Sequence, residues 1–354
     1  MNTPKSLLCT LSLTVFAIAL ASQATAQDAE TLRFARIISD NMVLQQQKPI
    51  TLWGWAKPNA EVKVTMTQDT TIGKSAADKL GEPFGAGKDN DAYTVTMRYV
   101  EKNPPKLETR TLKAQAGRDG RWSVQFPSAK ASFKPTWLIA ESGQKMIVVQ
   151  NVLIGEIWLC AGQSNMGWGN FNRKDREAAS ADFPGLRYIA WEDSWYKPLP
   201  DVRKKIQWQE CSPQTAQRFS AVPYLYGTFL HRYLKVPVGI INVARGGTLG
   251  QTWCMREELD TIGGDLMKTV LAEHDSQTAV WDDPKQVDGL MTQWEKACDT
   301  ARAEHVTKVA RAKAEGKKEP RLRLPKKPGD ARAGWSPPAG LFNATVMPIR
   351  QLGL

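Results

Sequence analysis

The sequence predicts a protein of two domains, a β-sandwich followed by an α/β domain whose parallel sheet lies between two layers of helices. Residues 32–150 contain short stretches of alternating apolar and polar residues separated by turn residues, which is typical of packed antiparallel sheets. Beyond residue 151, apolar strands alternate with a helix-length segment, an order that favours parallel pairing. The chain of 354 residues is long enough for about two domains.

Residues 1–26 are predicted to be a secretory signal peptide rather than part of the fold. Lys5 precedes an apolar run over residues 7–20, and Ala24-Thr25-Ala26 provides the small residues of a cleavage site. The run is short for a transmembrane helix, and no other stretch of the sequence is long and apolar enough to cross a bilayer. We therefore expect a secreted or periplasmic protein without a membrane span.

The first domain, predicted over residues 27–150, is defined by its strands. They alternate apolar and polar residues, and they cover residues 50–55, 60–66, 120–126, 137–140 and 146–149. Residues 70–90, rich in Gly, Lys and Asp, are expected to form an extended loop, and residues 92–100 an added strand. The domain contains no cluster of titratable side chains. We therefore expect it to support the second domain or to form a lip over its site, with carbohydrate binding as an alternative role.

The second domain, predicted over residues 151–354, is built on buried strands. Their apolar runs lie at residues 157–161, 186–190 and 238–243. A long helix is expected to begin near Pro213, which suits a first helical turn, and to end at Lys235. Another helix is expected over residues 170–181. Strand, helix and strand in this order predict the parallel sheet.

A charged helical insertion is predicted at about residues 270–335. Residues 291–316 have helical spacing with many Lys, Arg and Glu, and residues 317–327 are basic and interrupted by Pro. Much of the net charge of +11 lies in residues 291–327, where 11 Lys and Arg outnumber 5 Asp and Glu. Because no aromatic side chains are interleaved with the basic ones, we interpret the insertion as a solvated surface and expect no nucleic-acid partner.

The cysteines outside the signal peptide do not predict a metal site. Cys160, Cys211, Cys254 and Cys298 lack the paired spacing of zinc ligands, and Cys160 belongs to a buried strand as a small apolar side chain. Export permits a disulfide, for which Cys211 and Cys254 are candidates, but sequence alone does not pair the four.

One serine occupies the position of a nucleophile. The apolar strand 157–161 leads through Gly162 to Ser164, and a glycine there lets the backbone turn sharply. At the start of a following helix, free backbone N–H groups favour developing negative charge. The spacing does not match the Gly-x-Ser-x-Gly nucleophile elbow. The alternative is that Ser164 only caps the helix.

Five stretches occur in the order of one known family. They are Asp40-Asn41-Met42-Val43-Leu44-Gln45 with Trp53-Gly54-Trp55-Ala56; Gly162-Gln163-Ser164-Asn165-Met166; Phe219-Ser220-Ala221-Val222 with Tyr226-Gly227 and His231; Val236-Pro237-Val238-Gly239-Ile240-Ile241-Asn242 with Gly246-Gly247-Thr248 and Trp253; and Leu341-Phe342-Asn343-Ala344. The block around Ser164 resembles the first block of the SGNH hydrolase superfamily. Together, the stretches resemble the sialate O-acetylesterase family of carbohydrate esterases. The resemblance implies a three-layer, flavodoxin-like sheet and a secreted serine esterase that removes O-acetyl groups from sialic acid or other glycans.

The resemblance also implies a set of site residues. Ser164 is the nucleophile, and its backbone N–H forms an oxyanion hole with those of Gly246 and Gly247. The residues expected to bind the substrate, an acetylated sugar or glycan, are Gln163, Asn165 and Thr248. The family's reaction needs neither a metal nor an organic cofactor.

The base that a serine nucleophile needs is missing from this sequence. In the resembled family it belongs to an Asp-x-x-His pattern, which none of His231, His274 and His305 has, and a Gln-Gly-Glu block is absent as well. We therefore expect an N-terminal fragment that has no turnover by itself and leaves an open apolar edge on its sheet. The alternative is a non-catalytic carbohydrate-binding protein built on a degenerate hydrolase domain; a serine peptidase is disfavoured.

Overall fold

The structure is a computed structural model that describes residues 32–80, 107–169 and 181–353. The predicted signal peptide and the predicted strand over residues 92–100 lie outside these residues, as does nearly all of the predicted helix over residues 170–181.

The described residues form two compact units. The first contains the residues up to Glu192, Asp201–Gly246 and the residues from Ile349; the second contains Asp193–Pro200 and Gly247–Pro348. The first unit therefore includes both the stretch predicted as a β-sandwich and the strands predicted for the second domain.

The first unit is a β-rich unit with three α-helices among its described residues. In chain order its elements are β1 (Arg33–Phe34), β2 (Val43–Gln45), β3 (Ile50–Trp55), β4 (Glu61–Thr67), α1 (Thr70–Leu80), β5 (Arg110–Gln115), β6 (Arg121–Phe126), β7 (Ser132–Ser142), β8 (Lys145–Gly162), α2 (Ser164–Gly167), β9 (Phe183–Ala190), β10 (Gln209–Cys211), α3 (Ala221–Leu234) and β11 (Val238–Ala244).

Three of the strands form a small antiparallel sheet in the order β1-β3-β6. In β6, the buried Trp122, Val124 and Phe126 alternate with exposed residues, as the sequence predicts for a strand with one face in a core. The Phe34 ring of β1 meets Trp122 edge-on, with the ring centroids 5.4 Å apart. Burial of these aromatic side chains holds the sheet to the core.

The other strands form one mixed sheet in the order β10-β9-β11-β8-β7-β4-β5, with β2 also paired to β8. β8 is 18 residues long: its first part pairs antiparallel with β7, and Glu156–Gly162 pair parallel with β11. The predicted boundary between residues 150 and 151 falls within β8. Asn151 takes a left-handed φ of 54° there, which Asn tolerates, and its amide donates to Asn41 and Glu210. The predicted start of the second domain at Asn151 thus coincides with a local irregularity in a continuous strand.

Three parallel strands form the centre of the α/β region. β11 lies between β8 and β9, and β10 adds antiparallel to the outer side of β9. The fold is therefore mixed α/β. Among these three strands, the third in sequence (β11) lies between the first (β8) and the second (β9). In a flavodoxin-like order, the first strand lies between the second and the third.

α3 packs its inner face on these strands at Gly227. A Cβ atom at this position would lie 2.8 Å from Leu186 Cδ1 and 2.9 Å from Ile240 Cγ1, so the glycine permits a close approach. The predicted start near Pro213 is wrong, because a separate turn precedes the helix, closed by the Ser212 N–H donating to Thr215 Oγ1 at 2.9 Å. The helix ends at Lys235 as predicted.

A helix replaces the first part of the loop predicted over residues 70–90. Asp69 Oδ1 accepts a hydrogen bond from the Thr71 N–H at 2.9 Å, at the start of α1. A Cβ atom at Gly73 would lie within 2.6 Å of three atoms of the Trp137 ring. Tertiary packing on Trp137 thus stabilises a helix that local composition did not indicate. The rest of the predicted loop lies outside the described residues.

The second unit is mainly helical. Its α-helices are α4 (Arg256–Ile262), α5 (Gly264–Asp282) and α6 (Pro284–Ala314). α6 corresponds to the helical spacing predicted over residues 291–316, and it begins where Asp283 Oδ1 accepts a hydrogen bond from the Lys285 N–H. In the part of the chain that is described, no helix combines the length and apolar character that a membrane span requires.

Candidate active site

Ser164 lies at the carboxyl end of a parallel strand, as the sequence predicts. β8 ends at Gly162, Gln163 follows, and the single turn α2 begins at Ser164. The pairing of Gly162 with Ala244 places the end of β11 beside this turn. Ser164 is exposed to solvent, so its side chain is open to an approaching substrate.

Ser164 does not act as a helix cap. The N-cap position of α2 belongs to Gln163, whose side chain makes no capping hydrogen bond, and Ser164 is the first residue inside the helical turn. The alternative that Ser164 is present only to cap a helix is therefore wrong.

Gly246 approaches Ser164 closely. A Cβ atom at Gly246 would lie 3.2 Å from Ser164 Cβ, 3.5 Å from its Cα and 3.7 Å from its backbone nitrogen. The first of these three contacts is tighter than most real Cβ contacts, so a side chain at Gly246 would require Ser164 to shift by a few tenths of an ångström. The structure therefore brings together two of the residues that the sequence assigns to one site.

Backbone contacts fix the two strand ends to each other. The Arg245 N–H donates to the Gly162 carbonyl at 2.9 Å, which continues the β8–β11 ladder by one residue. A Cβ atom at Gly167 would lie 3.1 Å from Ala244 Cβ, so α2 is held against the end of β11. The position of Ser164 is thus set by strand pairing rather than by a loose loop.

A charged pair at the same end of the sheet was not predicted. Arg245 Nη1 lies 2.9 Å from Glu192 Oε2, and both side chains are partly exposed. Arg245 directly precedes Gly246, and Glu192 follows β9. The sequence offered one signal, because polar residues directly after two parallel strands are expected at one edge of the sheet.

A buried polar network lies between the strands behind the site. Asn242 Nδ2 donates to the Tyr188 hydroxyl at 2.6 Å, and the Ser220 N–H donates to the same oxygen at 3.1 Å. The Tyr188 ring stacks on Phe219 with centroids 4.1 Å apart. These bonds tie β9 and β11 to the start of α3, which gives the sheet end a fixed geometry.

The remaining predicted site residues divide between the two units. Gln163 and Asn165 flank Ser164 in sequence and are exposed. Gly247 and Thr248 belong to the second unit, where Gly247 takes a left-handed φ of 73° and the buried Thr248 accepts a hydrogen bond from Trp253 Nε1 at 3.1 Å. The roles given to these four residues stay predictions.

No histidine of the first unit is available as a base. His231 is the one histidine in that unit's sequence. It is buried in α3, and its Nδ1 lies 2.7 Å from the Val236 carbonyl oxygen, so that Nδ1 carries the proton of a neutral ring. Burial lowers the pKa of His231 below its usual value. The residue is structural, as the sequence context indicates.

The cysteines of the first unit do not compete with Ser164 as nucleophiles. Burial raises the pKa of the Cys160 thiol to about 11 and that of Cys211 to about 12, so both remain protonated at neutral pH. Cys160, Cys211, Cys254 and Cys298 are all free thiols. Within the described ranges, no three His, Cys, Asp or Glu side chains are grouped to hold a metal ion.

An exposed serine fixed at a parallel strand end, with a glycine backbone against it, is the arrangement that presents the nucleophile in α/β serine hydrolases. No family model matches the chain. Curated sialate O-acetylesterases do match it. The Pongo abelii protein is 26% identical over 246 residues, covering 65% of this chain and 40% of its own length. The Homo sapiens protein is 26% identical over 245 residues with the same coverage, and the Mus musculus protein is 23% identical over 242 residues, covering 65% and 39%.

A solved structure of another acetylesterase is also similar to this chain. A carbohydrate acetylesterase from Xanthomonas citri superposes with a TM-score of 0.50 at 25% identity, covering 66% of this chain and 44% of that one. The chain is thus similar to curated sialate O-acetylesterases over 65% of its length. It spans about 40% of the length of the curated relatives that it matches.

Proposed function

We propose that this chain supplies the nucleophile of a serine esterase that removes O-acetyl groups from sialic acid or other acetylated glycans. The observation that carries the proposal is the approach of Gly246 to Ser164, since a Cβ atom on the glycine would lie 3.7 Å from the serine nitrogen. Ser164 attacks the acetyl carbonyl. The backbone N–H groups of Ser164, Gly246 and Gly247 stabilise the oxyanion, and water then releases acetate.

The base of this reaction comes from outside the first unit. His231, the one histidine there, is buried and engaged with the Val236 carbonyl oxygen. Without a base, the serine hydroxyl is a weak nucleophile. We propose that the chain by itself has no turnover, and that a longer protein of the relatives' length carries the activity.

The proposal also assigns roles to three regions outside the site, as the sequence predicts. Residues 1–26 direct export, and the strands β1–β7 form a β-sandwich that supports the esterase region. The surface helix α6 has no nucleic-acid role, which is supported by the acidic partners of its basic side chains at positions 302, 308 and 311.

The test replaces the missing base with a small molecule. The chain is incubated with p-nitrophenyl acetate in the presence of imidazole, and acetylated residues are mapped by mass spectrometry. We expect acetylation of Ser164 that depends on imidazole and is absent in Ser164→Ala. The matched control is Ser123→Ala, which removes an exposed serine from β6 and should leave Ser164 acetylation unchanged. Equal acetylation of Ser123 and Ser164 would contradict a special role for Ser164.

One observation favours a second candidate function. The engaged His231 is compatible with a carbohydrate-binding protein that retains the fold without the chemistry. In that case, saturation-transfer NMR would detect binding of an O-acetylated sialoside to the chain. Incubation with p-nitrophenyl acetate and imidazole would give no acetylated Ser164.

A further inference from the structure

Residues 317–327, which follow α6, form a basic segment. It contains six Lys or Arg residues and one Glu, and all of its residues are exposed. Its one acidic residue, Glu319, pairs with Lys313 of α6 at 3.5 Å, and Lys317 pairs with Glu315 at 2.8 Å. Among the described residues, no carboxylate pairs with the other five cations of the segment, which are Lys318, Arg321, Arg323, Lys326 and Lys327.

The cations of α6 differ from those of the basic segment, because they have acidic partners. Arg302, Lys308 and Arg311 each lie 2.7–3.0 Å from a carboxylate about one helical turn away. A surface on which opposite charges alternate attracts anions weakly, whereas a run of cations without carboxylates attracts them strongly. Positive charge without an acidic partner is therefore concentrated in the basic segment rather than along α6.

The basic segment is fixed in an extended form. It belongs to no helix or strand, and Pro320, Pro325 and Pro328 hold their own φ while keeping each preceding residue out of the helical region. Trp294 of α6 anchors the segment. Its indole N–H donates to the Pro325 carbonyl at 3.1 Å, and Lys327 Nζ lies 5.5 Å from its ring centroid. Cations on a segment that is already fixed lose less chain entropy when they bind a ligand.

We propose that the basic segment binds a linear glycan whose sugars carry carboxylates. Lys and Arg both donate to carboxylates, and Arg does so through two N–H groups at once. The segment contains no aromatic residue on which the bases of a nucleic acid could stack, so sugar carboxylates suit it better than phosphates that carry bases. The choice of a glycan rests on the proposed function, which it deepens by selecting acidic glycans over neutral ones. The segment supplies affinity for the polymer and takes no part in the chemistry at Ser164.

The test measures binding of the chain to fluorescently labelled polymers by fluorescence polarisation. The polymers are polysialic acid, polygalacturonate and, as a neutral control, dextran. We expect the carboxylated glycans to bind, dextran not to bind, and binding to weaken roughly tenfold between about 50 and about 200 mM salt, because contacting cations release counterions from a polyanion. Tighter binding of polysialic acid would identify sialic acid as the source of the carboxylates, and tighter binding of polygalacturonate would identify uronic acids.

A pair of triple variants locates the binding surface. The test variant removes two Arg and one Lys from the basic segment: Arg321→Gln, Arg323→Gln and Lys326→Gln. The matched control removes the same charge from α6: Arg302→Gln, Lys308→Gln and Arg311→Gln. We expect the test variant to weaken binding roughly tenfold and the control less than about twofold, while circular dichroism shows both folded. An equal loss in the two variants would mean that net charge alone drives binding, which would overturn the proposal.

Two further results would overturn the proposal. One is that neither carboxylated glycan binds the unaltered chain. The other is tighter binding of single-stranded DNA of the same charge, which would assign the segment to nucleic acid. Acetylation of Ser164 by p-nitrophenyl acetate with imidazole, measured on the same samples, tests the esterase separately. Acetylated Ser164 without glycan binding overturns the role of the basic segment alone, whereas glycan binding without acetylated Ser164 overturns the esterase chemistry alone.

Discussion

At the scale of the residue, the site depends on two small residues that follow the ends of paired strands. Ser164 follows the end of β8. Only Arg245 separates Gly246 from the end of β11. The register that pairs Gly162 with Ala244 brings the serine and the glycine together. The serine could be predicted from the sequence, because a glycine and a serine after an apolar strand form a local pattern. The Glu192–Arg245 ion pair could not be predicted as a contact: both residues follow parallel strands, but they are 53 residues apart in sequence.

Substitution of Gly246 should disable the site without unfolding the chain. In Gly246→Ala, the new methyl group would lie 3.2 Å from Ser164 Cβ, so Ser164 must shift by a few tenths of an ångström and the spacing of the oxyanion donors changes. We expect imidazole-dependent acetylation of Ser164 to fall by about 10²–10³, the range for loss of one oxyanion donor. The control is Gly250→Ala, whose methyl group would have no neighbour within 4 Å. Unchanged acetylation in Gly246→Ala would argue against the shared site.

The free thiols should differ in reactivity. Burial raises the pKa of Cys160 to about 11, so at pH 8 about one molecule in 10³ carries the reactive thiolate. Cys254 is exposed. We expect iodoacetamide to modify Cys254 first in the folded chain, and Cys160 and Cys211 at comparable rates only in denaturant. Mass spectrometry of digested samples checks the order, and early modification of Cys160 would show that its strand opens.

At the scale of the element, the start of α3 shows how a local turn can replace the first part of a predicted helix. The sequence predicts a helix from Pro213, but Ser212 and Thr215 form their own turn, and the helix begins at Ala221 with Pro223 in its first turn. A proline there removes no helical hydrogen bond. α1 was missed for the opposite reason, since its contact with Trp137 is not visible in local composition.

Two glycine substitutions in helices should act in opposite directions. Gly227→Ala forces a methyl group to within 2.9 Å of Ile240 and Leu186 atoms, and we expect it to destabilise the first unit by about 1–3 kcal/mol. Gly289→Ala on α6 has no neighbour within 4 Å, and it should stabilise the helix by about 0.5–1 kcal/mol. Urea unfolding measures both. A neutral Gly227→Ala would mean that α3 does not pack on the sheet as described.

At the scale of the whole molecule, the general fold class was predictable and the division of the chain was not. Runs of alternating or continuous apolar residues predicted the strands, because the pattern of buried and exposed positions is visible within each segment of the sequence. The pairing of β8 with both β7 and β11 depends on contacts between distant segments, so a boundary at residue 150 was predicted where the strand continues. The expected open apolar edge of an incomplete parallel sheet stays a prediction.

The chain by itself should release no acetate. Its first unit offers a nucleophile but no available histidine. We expect the rate of acetate release from O-acetylated sialic acid, without imidazole, to equal that of Ser164→Ala. An enzymatic acetate assay measures both proteins. A rate that disappears in Ser164→Ala would show that a base is present after all.

The unbroken course of β8 also bears on how this protein can be dissected in the laboratory. Expression of residues 151–354 alone would cut through a single strand, separate the ladder with β7 from the ladder with β11, and release the Asn151 contacts to Asn41. Deletion clones that keep Lys145–Gly162 whole, together with its hairpin partner, are therefore the ones to make.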